Sequence, residues 1–322
     1  MTSAIRIDRT GGPEVLTFGD VERATPGPGQ AWIEHEAIGV NYLDVTQRNG
    51  AIPIKLPSGL GLEGAGKVTA VGGDVRDIAI GDRVGYALGP IGSYATGRLY
   101  PAERLVRLPD DVSCSEAAAI IFKGITAQYL IKSTFAVQPG HTVLLYGVAG
   151  AVGQILAPWA RHLGARVIGV VSKEASVKRA MAAGCDSVVV WNDKLPEEVA
   201  DLTNGRKVDV VYDGIGRTTF AASLESLRPR GTMVSIGASS GVPPAVELAT
   251  LNAKSLFLTR PGLGHHVADV AEYHERVRDV FAAMSQGVIK PSTWKTFALA
   301  DAAEAHAALE TGKSAGAIVL KP

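Results

Sequence analysis

Two cysteines, Cys114 and Cys185, are all that this chain of 322 residues contains. They cannot supply a disulfide framework, and with no secretory signal ahead of them they are expected as free thiols in a reducing compartment. A four-cysteine structural zinc is excluded on the same count, and none of the seven histidines falls in a recognised metal-ligand spacing. The adjacent pair His265-His266 is expected to cap or decorate a helix start, because neighbouring helical residues point to different faces. No run of about 18 apolar residues is present, so no membrane-spanning helix is expected. The N-terminus carries Arg6, Asp8 and Arg9 and lacks a secretory apolar core, which makes the cytoplasm the expected location. Excess charge is missing too. Lys plus Arg and Asp plus Glu each number 32, and basic residues do not cluster with aromatic ones, so neither nucleic acid nor a membrane surface is expected as a partner.

What is present suffices for two domains: 46% of the residues are apolar and 20% charged. Up to about residue 120 the chain alternates short apolar runs, such as Ala31-Trp32-Ile33-Glu34-His35, with turns rich in glycine and proline. Short strands curling into a partly open barrel are expected there. Ser113-Cys114-Ser115-Glu116 then has the form of a capping box, and a helix should follow. From about Gly124 to about Leu258 apolar strand runs alternate with helical patterns, the signature of a parallel sheet covered on both faces. Helices are expected near Thr218–Leu227, stopped by Pro229, and continuously over His266–Gln286; the closing run Ala317–Leu320 reads as a strand that returns to the first domain. The resulting division is 1–123 with 262–322 as one discontinuous domain, and 124–261 as the other.

The second domain begins with the most informative stretch. Thr142–Tyr146 is a buried strand, Gly147-Val148-Ala149-Gly150-Ala151-Val152-Gly153 a turn of small residues, and a helix runs on to Leu163, with Pro158 inside it. Backbone N–H groups at such a helix start, aided by the helix dipole, suit a pyrophosphate. The spacing is Gly-x-x-Gly-x-x-Gly rather than Gly-x-Gly-x-x-Gly, and a purely structural turn is the alternative. Arg166–Val171 completes a βαβ unit, which favours a dinucleotide. Its second strand ends at Ser172-Lys173, where a hydroxyl and an ammonium suit the 2′-phosphate of NADPH better than the bare ribose of NADH, although Glu174 follows.

Motifs along the whole chain resemble the medium-chain dehydrogenase/reductase superfamily: Gly59-Leu60-Gly61-Leu62-Glu63-Gly64-Ala65-Gly66, Gly81-Asp82-Arg83-Val84, Leu105-Val106-Arg107-Leu108-Pro109, the glycine turn, and Gly316–Leu320. Leu62 stands where zinc enzymes of that superfamily carry a histidine ligand, and Asn41 lies in the vicinity of their catalytic cysteine. Gly11–Leu16, Asn41 with Asp44, Phe122–Ala127 and Tyr212–Gly216 resemble instead the zinc-free, zeta-crystallin-like quinone oxidoreductases.

That resemblance implies a Rossmann domain, a GroES-like partly open β-barrel and a cleft between them. It also implies a homodimer formed through the strand at Leu256-Phe257-Leu258, and NADPH-dependent transfer to a quinone. Asn41 and Lys123 are the expected catalytic residues, each with a bland alternative: Asn41 fixing a loop, Lys123 bridging domains. Asn41, Thr126, Tyr129, Ala149, Gly150, Ala151, Val152, Ser172, Lys173, Gly237, Ser239 and Arg260 are expected at the cofactor, although Tyr129, an aromatic at helical spacing, reads more readily as core packing. No metal is expected. Thr46 and Ile52 replace tyrosines of the resembling group, implying a more apolar acceptor wall. Ser176, Trp191 and Gly312 beside Lys313 replace groups often found around the adenosine phosphate. Reduction of an activated carbon–carbon double bond in an enone or alkenal fits the same features, and a non-enzymatic NADPH-binding structural or RNA-binding protein is the alternative of another class.

Overall fold

The computed structural model describes residues 2–312 and 314–322, so Lys313 lies outside the described residues. Two compact units emerge: Met1–Ile125 with Asp269–Phe281 and Pro291–Pro322, and Thr126–Ala268 with Ala282–Lys290. In chain order the first unit opens with β1 (Thr2–Ile7), β2 (Thr17–Val21), β3 (Gln30–Val40), α1 (Tyr42–Arg48), β4 (Ser58–Gly59), β5 (Glu63–Val71), β6 (Arg83–Ala87), β7 (Gly97–Pro101), β8 (Val106–Arg107) and α2 (Cys114–Tyr129), which from Thr126 on is counted with the second. The second contains β9 (Thr142–Tyr146), α3 (Gly153–His162), β10 (Arg166–Val171), α4 (Val177–Ala182), β11 (Ser187–Val190), α5 (Leu195–Leu202), β12 (Val208–Asp213), α6 (Phe220–Ser226), β13 (Leu227–Ser235), α7 (Leu248–Asn252), β14 (Phe257–Thr259) and α8 (Leu263–His266). The chain closes with α9 (Val270–Ser285), β15 (Thr293–Ala298), α10 (Ala302–Glu310) and β16 (Ala317–Lys321).

β3 organises the first unit. One edge pairs with β5 along its length; the other pairs with β7 at residues 30–34 and with β16 at residues 38–40. Changing partners along one edge, with register shifts against β5, bends the sheet as bulges do. β16 thus completes the sheet begun by β3, with Val319 opposite Gly39. Apolar side chains from both ends of the chain, among them Ile5, Ile38, Leu60, Phe297 and Leu320, share one core. Each contributes about 1.5–3 kcal/mol through burial.

Helix α1 lies where only strands and loops are expected. Asn41 precedes it in an extended conformation, and its N–H donates to Asp44 Oδ2 at 2.9 Å. The local signal is thus an Asn followed three residues later by an acid, the same logic that starts α2: there Glu116 accepts from Ser113 N–H at 2.9 Å and donates its own N–H to Ser113 Oγ at 3.2 Å.

In the second unit six parallel strands run in the order β11-β10-β9-β12-β13-β14. The order reverses between β9 and β12, where nucleotides bind in doubly wound sheets. All five residues of β9 and all six of β12 are buried, as expected for strands covered on both faces. Pro158 is accommodated inside α3.

The structure departs from four of the sequence expectations. Pro229 ends no helix: α6 stops at Ser226, and Pro229 lies in β13 within an irregular stretch between the pairs Val208–Leu227 and Val210–Thr232, where a missing donor is tolerated. The strand expected at Leu256-Phe257-Leu258 runs instead from Phe257 to Thr259. The single helix expected over His266–Gln286 is broken, because Asp269 caps a new start by accepting the Glu272 N–H at 2.8 Å. His265 and His266 consequently sit in the last turn of α8 rather than at a helix start.

Candidate active site

In the first unit Asn41, Glu63 and Lys123 form one buried cluster, brought together by the start of α1, the first residue of β5 and the middle of α2. Lys123 Nζ donates to Asn41 Oδ1 at 2.8 Å and to Glu63 Oε2 at 2.9 Å. Asn41 Nδ2 donates to the same Glu63 oxygen at 3.0 Å, and the Phe122 N–H donates to Glu63 Oε1 at 2.7 Å. Glu63 is fully buried and Lys123 4% exposed, so each charge depends on the other for compensation. An ammonium has three hydrogens, and two are committed here. Glu63 is a site residue that sequence reasoning passed over; its signal was a lone acid inside a glycine-rich run of small and apolar residues.

A second layer of polar groups stands behind Asn41. Tyr94 Oη donates to Asp44 Oδ2 at 2.9 Å and lies 2.9 Å from His306 Nε2. Arg48 Nη1 reaches His306 Nδ1 at 3.3 Å and donates to Glu310 Oε2 at 3.0 Å, while Nη2 donates to Glu310 Oε1 at 2.7 Å. Burial lowers His306 to about 3, with Arg48 adding to the effect, so the imidazole is neutral. Burial also raises Asp44, to about 7, against the hydrogen bonds from Asn41 N–H and Tyr94 and the charge of Lys123, and with the charge of Glu63. Thr46 directs its hydroxyl to the Leu43 carbonyl at 2.8 Å, and Ile52 is exposed.

The second unit carries the other candidates on the carboxyl ends of its strands. After β9 the turn 147–152 leads into α3; Ser172 and Lys173 follow β10, Gly237 and Ser239 follow β13, and Arg260 follows β14. Gly147 has φ +63° and its carbonyl accepts from the Gly150 N–H at 2.9 Å. A Cβ on Gly153 would stand 2.5 Å from Val148 Cα and 2.6 Å from the Gly147 oxygen, so the first turn of α3 closes on the loop only with glycine there. A helix start opened to backbone in this way could receive a phosphate, and Ala149, Gly150, Ala151 and Val152, all half-buried, line it. Ser172, Lys173, Ser239 and Arg260 are exposed.

Asp213, at the end of β12, anchors this rim. Its buried carboxylate accepts from the N–H groups of Ile215 (2.7 Å) and Gly216 (3.1 Å) and from the hydroxyls of Thr219 (2.7 Å) and Ser223 (2.8 Å). Ser240 then ties the following loop down, its N–H and Oγ each 2.8 Å from the Ile215 carbonyl. Tyr129 is 3% exposed and stacked on His266, with ring centroids 4.3 Å apart, and Thr126 is half-buried. A cavity of about 560 Å³ lies elsewhere on this unit, among Phe220, Leu224, Val246, Lys254 and Leu256, and holds none of the expected site residues. Among the described residues no group of three or more His, Cys, Asp or Glu side chains is placed to hold a metal ion. Cys114 and Cys185 are buried free thiols, raised by burial to about 11 and about 12.

Residues 27–110 match the family of alcohol dehydrogenase GroES-like domains, and residues 151–282 match that of zinc-binding dehydrogenases. The chain is 40% identical to a quinone oxidoreductase of Pseudomonas aeruginosa over 100% of both chains. It is 41% identical to a 2-haloacrylate reductase of a Burkholderia species, covering 100% of this chain and 99% of that one. Among solved structures, the quinone oxidoreductase of Escherichia coli complexed with NADPH superimposes with a TM-score of 0.95 at 38% identity, over 99% of this chain and 100% of that one. The chain belongs to the quinone oxidoreductase family of the medium-chain dehydrogenase/reductase superfamily.

Proposed function

We propose that the protein reduces a quinone with NADPH. The observation that carries this reading is the buried Lys123 ammonium, tethered to Asn41 and Glu63 with its third hydrogen uncommitted among the described residues, in a chain similar along its whole length to quinone oxidoreductases. NADPH, when bound, supplies the hydride. Lys123 and Asn41 donate to the acceptor oxygen as negative charge develops on it, in a setting where water is scarce and a fixed donor counts for more. Glu63 holds Lys123 in place and keeps its charge local. The oxygens of Glu63 are already served by an ammonium, an amide and a backbone N–H, so the cation at this carboxylate is the protein's own, and we read the reaction as zinc-independent.

In the second unit Ala149, Gly150, Ala151 and Val152 hold the pyrophosphate, Ser172 and Lys173 the 2′-phosphate, and Gly237, Ser239 and Arg260 the remaining rim. Thr126 contacts the cofactor, and Tyr129, packed on His266, supports that contact from the core. The acceptor meets a wall in which Ile52 is exposed and the Thr46 hydroxyl is occupied, which suits an apolar quinone. β14 lies at the edge of its sheet with Phe257 62% exposed, and this apolar edge supports a homodimer. Two buried free thiols are in keeping with a cytoplasmic location.

A second reading is favoured by the 2-haloacrylate reductase among the relatives: hydride delivery to an activated carbon–carbon double bond. Purified protein assayed with NADPH and NADH, each against quinones and enones, separates the two. Turnover of simple quinones with NADPH is expected; NADPH oxidation by enones alone would transfer the assignment to the double-bond reductase.

A further inference from the structure

The polar groups behind Asn41 form a chain in which every hydrogen has only one direction to go. Arg48 can only donate, so His306 Nδ1 is the acceptor and the neutral imidazole carries its hydrogen on Nε2. That hydrogen goes to Tyr94 Oη, which leaves the tyrosine's own hydrogen for Asp44 Oδ2. Asp44 Oδ2 also receives the Asn41 N–H. Donors therefore saturate one oxygen of Asp44 and stop. The other, Oδ1, is buried, and no donor among the described residues reaches it. One turn further along α1 the side-chain oxygen of Gln47 is in the same condition: buried, with no donor among the described residues. Positions three apart on a helix share a face.

A proton on Asp44 Oδ1 turns two orphaned acceptors into one donor and one acceptor. With the Gln47 amide oriented as it is, an ionised Asp44 would instead leave both buried oxygens without a donor among the described residues, at the cost such groups carry. We infer that Asp44 works as a neutral carboxylic acid whose proton faces Gln47, and that in this form it is the positioning residue that fixes Asn41 for the reduction proposed above.

The groups facing Asp44 bear this out from each neighbouring element. Tyr94, from the loop after β6, donates to it; Lys123 on α2 and Glu63 on β5 oppose one another; Arg48 on α1 is neutralised by Glu310 of α10; and His306 of α10 is uncharged behind Tyr94. Desolvation outweighs the favourable contacts and lifts Asp44 to about 7. Because the folded state holds this proton above the ordinary carboxylate range, the contribution of Asp44 to stability is complete below about 4 and is lost as the pH climbs to about 7. Ionisation also places a buried negative charge beside Glu63 and loosens the start of α1, where Asn41 sits.

Three measurements test this on the full chain. Infrared titration of the wild-type protein should reveal a protonated-carboxyl band that disappears as the pH rises through about 7 and is absent from Asp44→Asn, whose amide can donate to Gln47 as the acid does. In steady-state kinetics the acceptor kcat/KM of the wild type should fall by about tenfold per pH unit above that point. The ratio of D44N to wild type should climb with pH in proportion, and Tyr94→Phe, which removes a donor that favours the anion, should move the fall to higher pH. The melting temperature of D44N relative to wild type should rise between pH 4 and pH 7. No protonated-carboxyl band, as when ordered water or a turned Gln47 amide donates to an ionised Oδ1, would overturn the inference; so would a D44N profile that falls as the wild type's does. If the protein turns over neither quinones nor enones, the proposed reduction fails on its own account, and infrared titration and melting still decide the state of Asp44.

Discussion

The polar cluster of the first unit and the strand-end rim of the second are built from different materials. Around Asn41, Glu63 and Lys123 the work falls to buried side chains, each held by partners from other elements. Along the rim it falls to backbone, with a left-handed glycine at 147 and a glycine at 153 where any side chain would strike the loop, while Ser172 and Lys173 stand in solvent. Side chains in a buried cluster can be exchanged only in matched sets, because a lone charge left behind is costly. Backbone sites fail on steric grounds, and exposed charges can be removed with little structural consequence. The same ligand affinity can thus be damaged in three ways that leave different traces on stability.

The largest effect is expected from Lys123→Met, which leaves Glu63 ionised, buried and without its ammonium. Such breaks cost about 3–5 kcal/mol. Urea unfolding should register the loss, adding Glu63→Gln should recover most of it, and the double variant should still be impaired in turnover. If K123M alone were as stable as wild type, the picture of an interdependent cluster would be wrong.

Next comes Gly153→Val, which pushes a branched side chain into the Gly147 and Val148 backbone. Overpacking of this kind costs about 1–3 kcal/mol. NADPH affinity measured by fluorescence titration should drop at least about tenfold, equivalent to about 1.4 kcal/mol. Undiminished NADPH binding would detach the turn from the cofactor. The smallest structural effect belongs to Lys173→Ala, within about 0.5 kcal/mol of wild type. Its trace should be functional: a narrowed ratio of NADPH to NADH efficiency, with an unchanged ratio removing Lys173 from the proposed phosphate site.

The same contrast explains what could be read from the chain. The parallel sheet was legible because each of its βαβ repeats is written locally, in apolar runs and glycine stops, and β9 and β10 span the expected Thr142–Tyr146 and Arg166–Val171. The cluster was half legible: Asn41 and Lys123 were singled out, but as separate residues, and Glu63 was overlooked. The chain from Glu310 to Asp44 was not legible at all, since Arg48 and His306 are 258 positions apart and neither sits in a local pattern that requires the other. Pro229 misled because its meaning depends on the strand beside it, and the break at Asp269 was hidden by apolar spacing that continues across it.

The pairing of β16 with β3 has a consequence for synthesis. Val40 waits for Ile318, and on a ribosome adding roughly 5–20 residues per second that wait lasts on the order of tens of seconds. The whole parallel sheet is translated within that interval, so the nucleotide-binding fold can be finished while the strand that precedes Asn41 still has an open edge. A growing chain held at this stage is a species for chaperones to shield, carrying one completed unit and one that lacks its last strand.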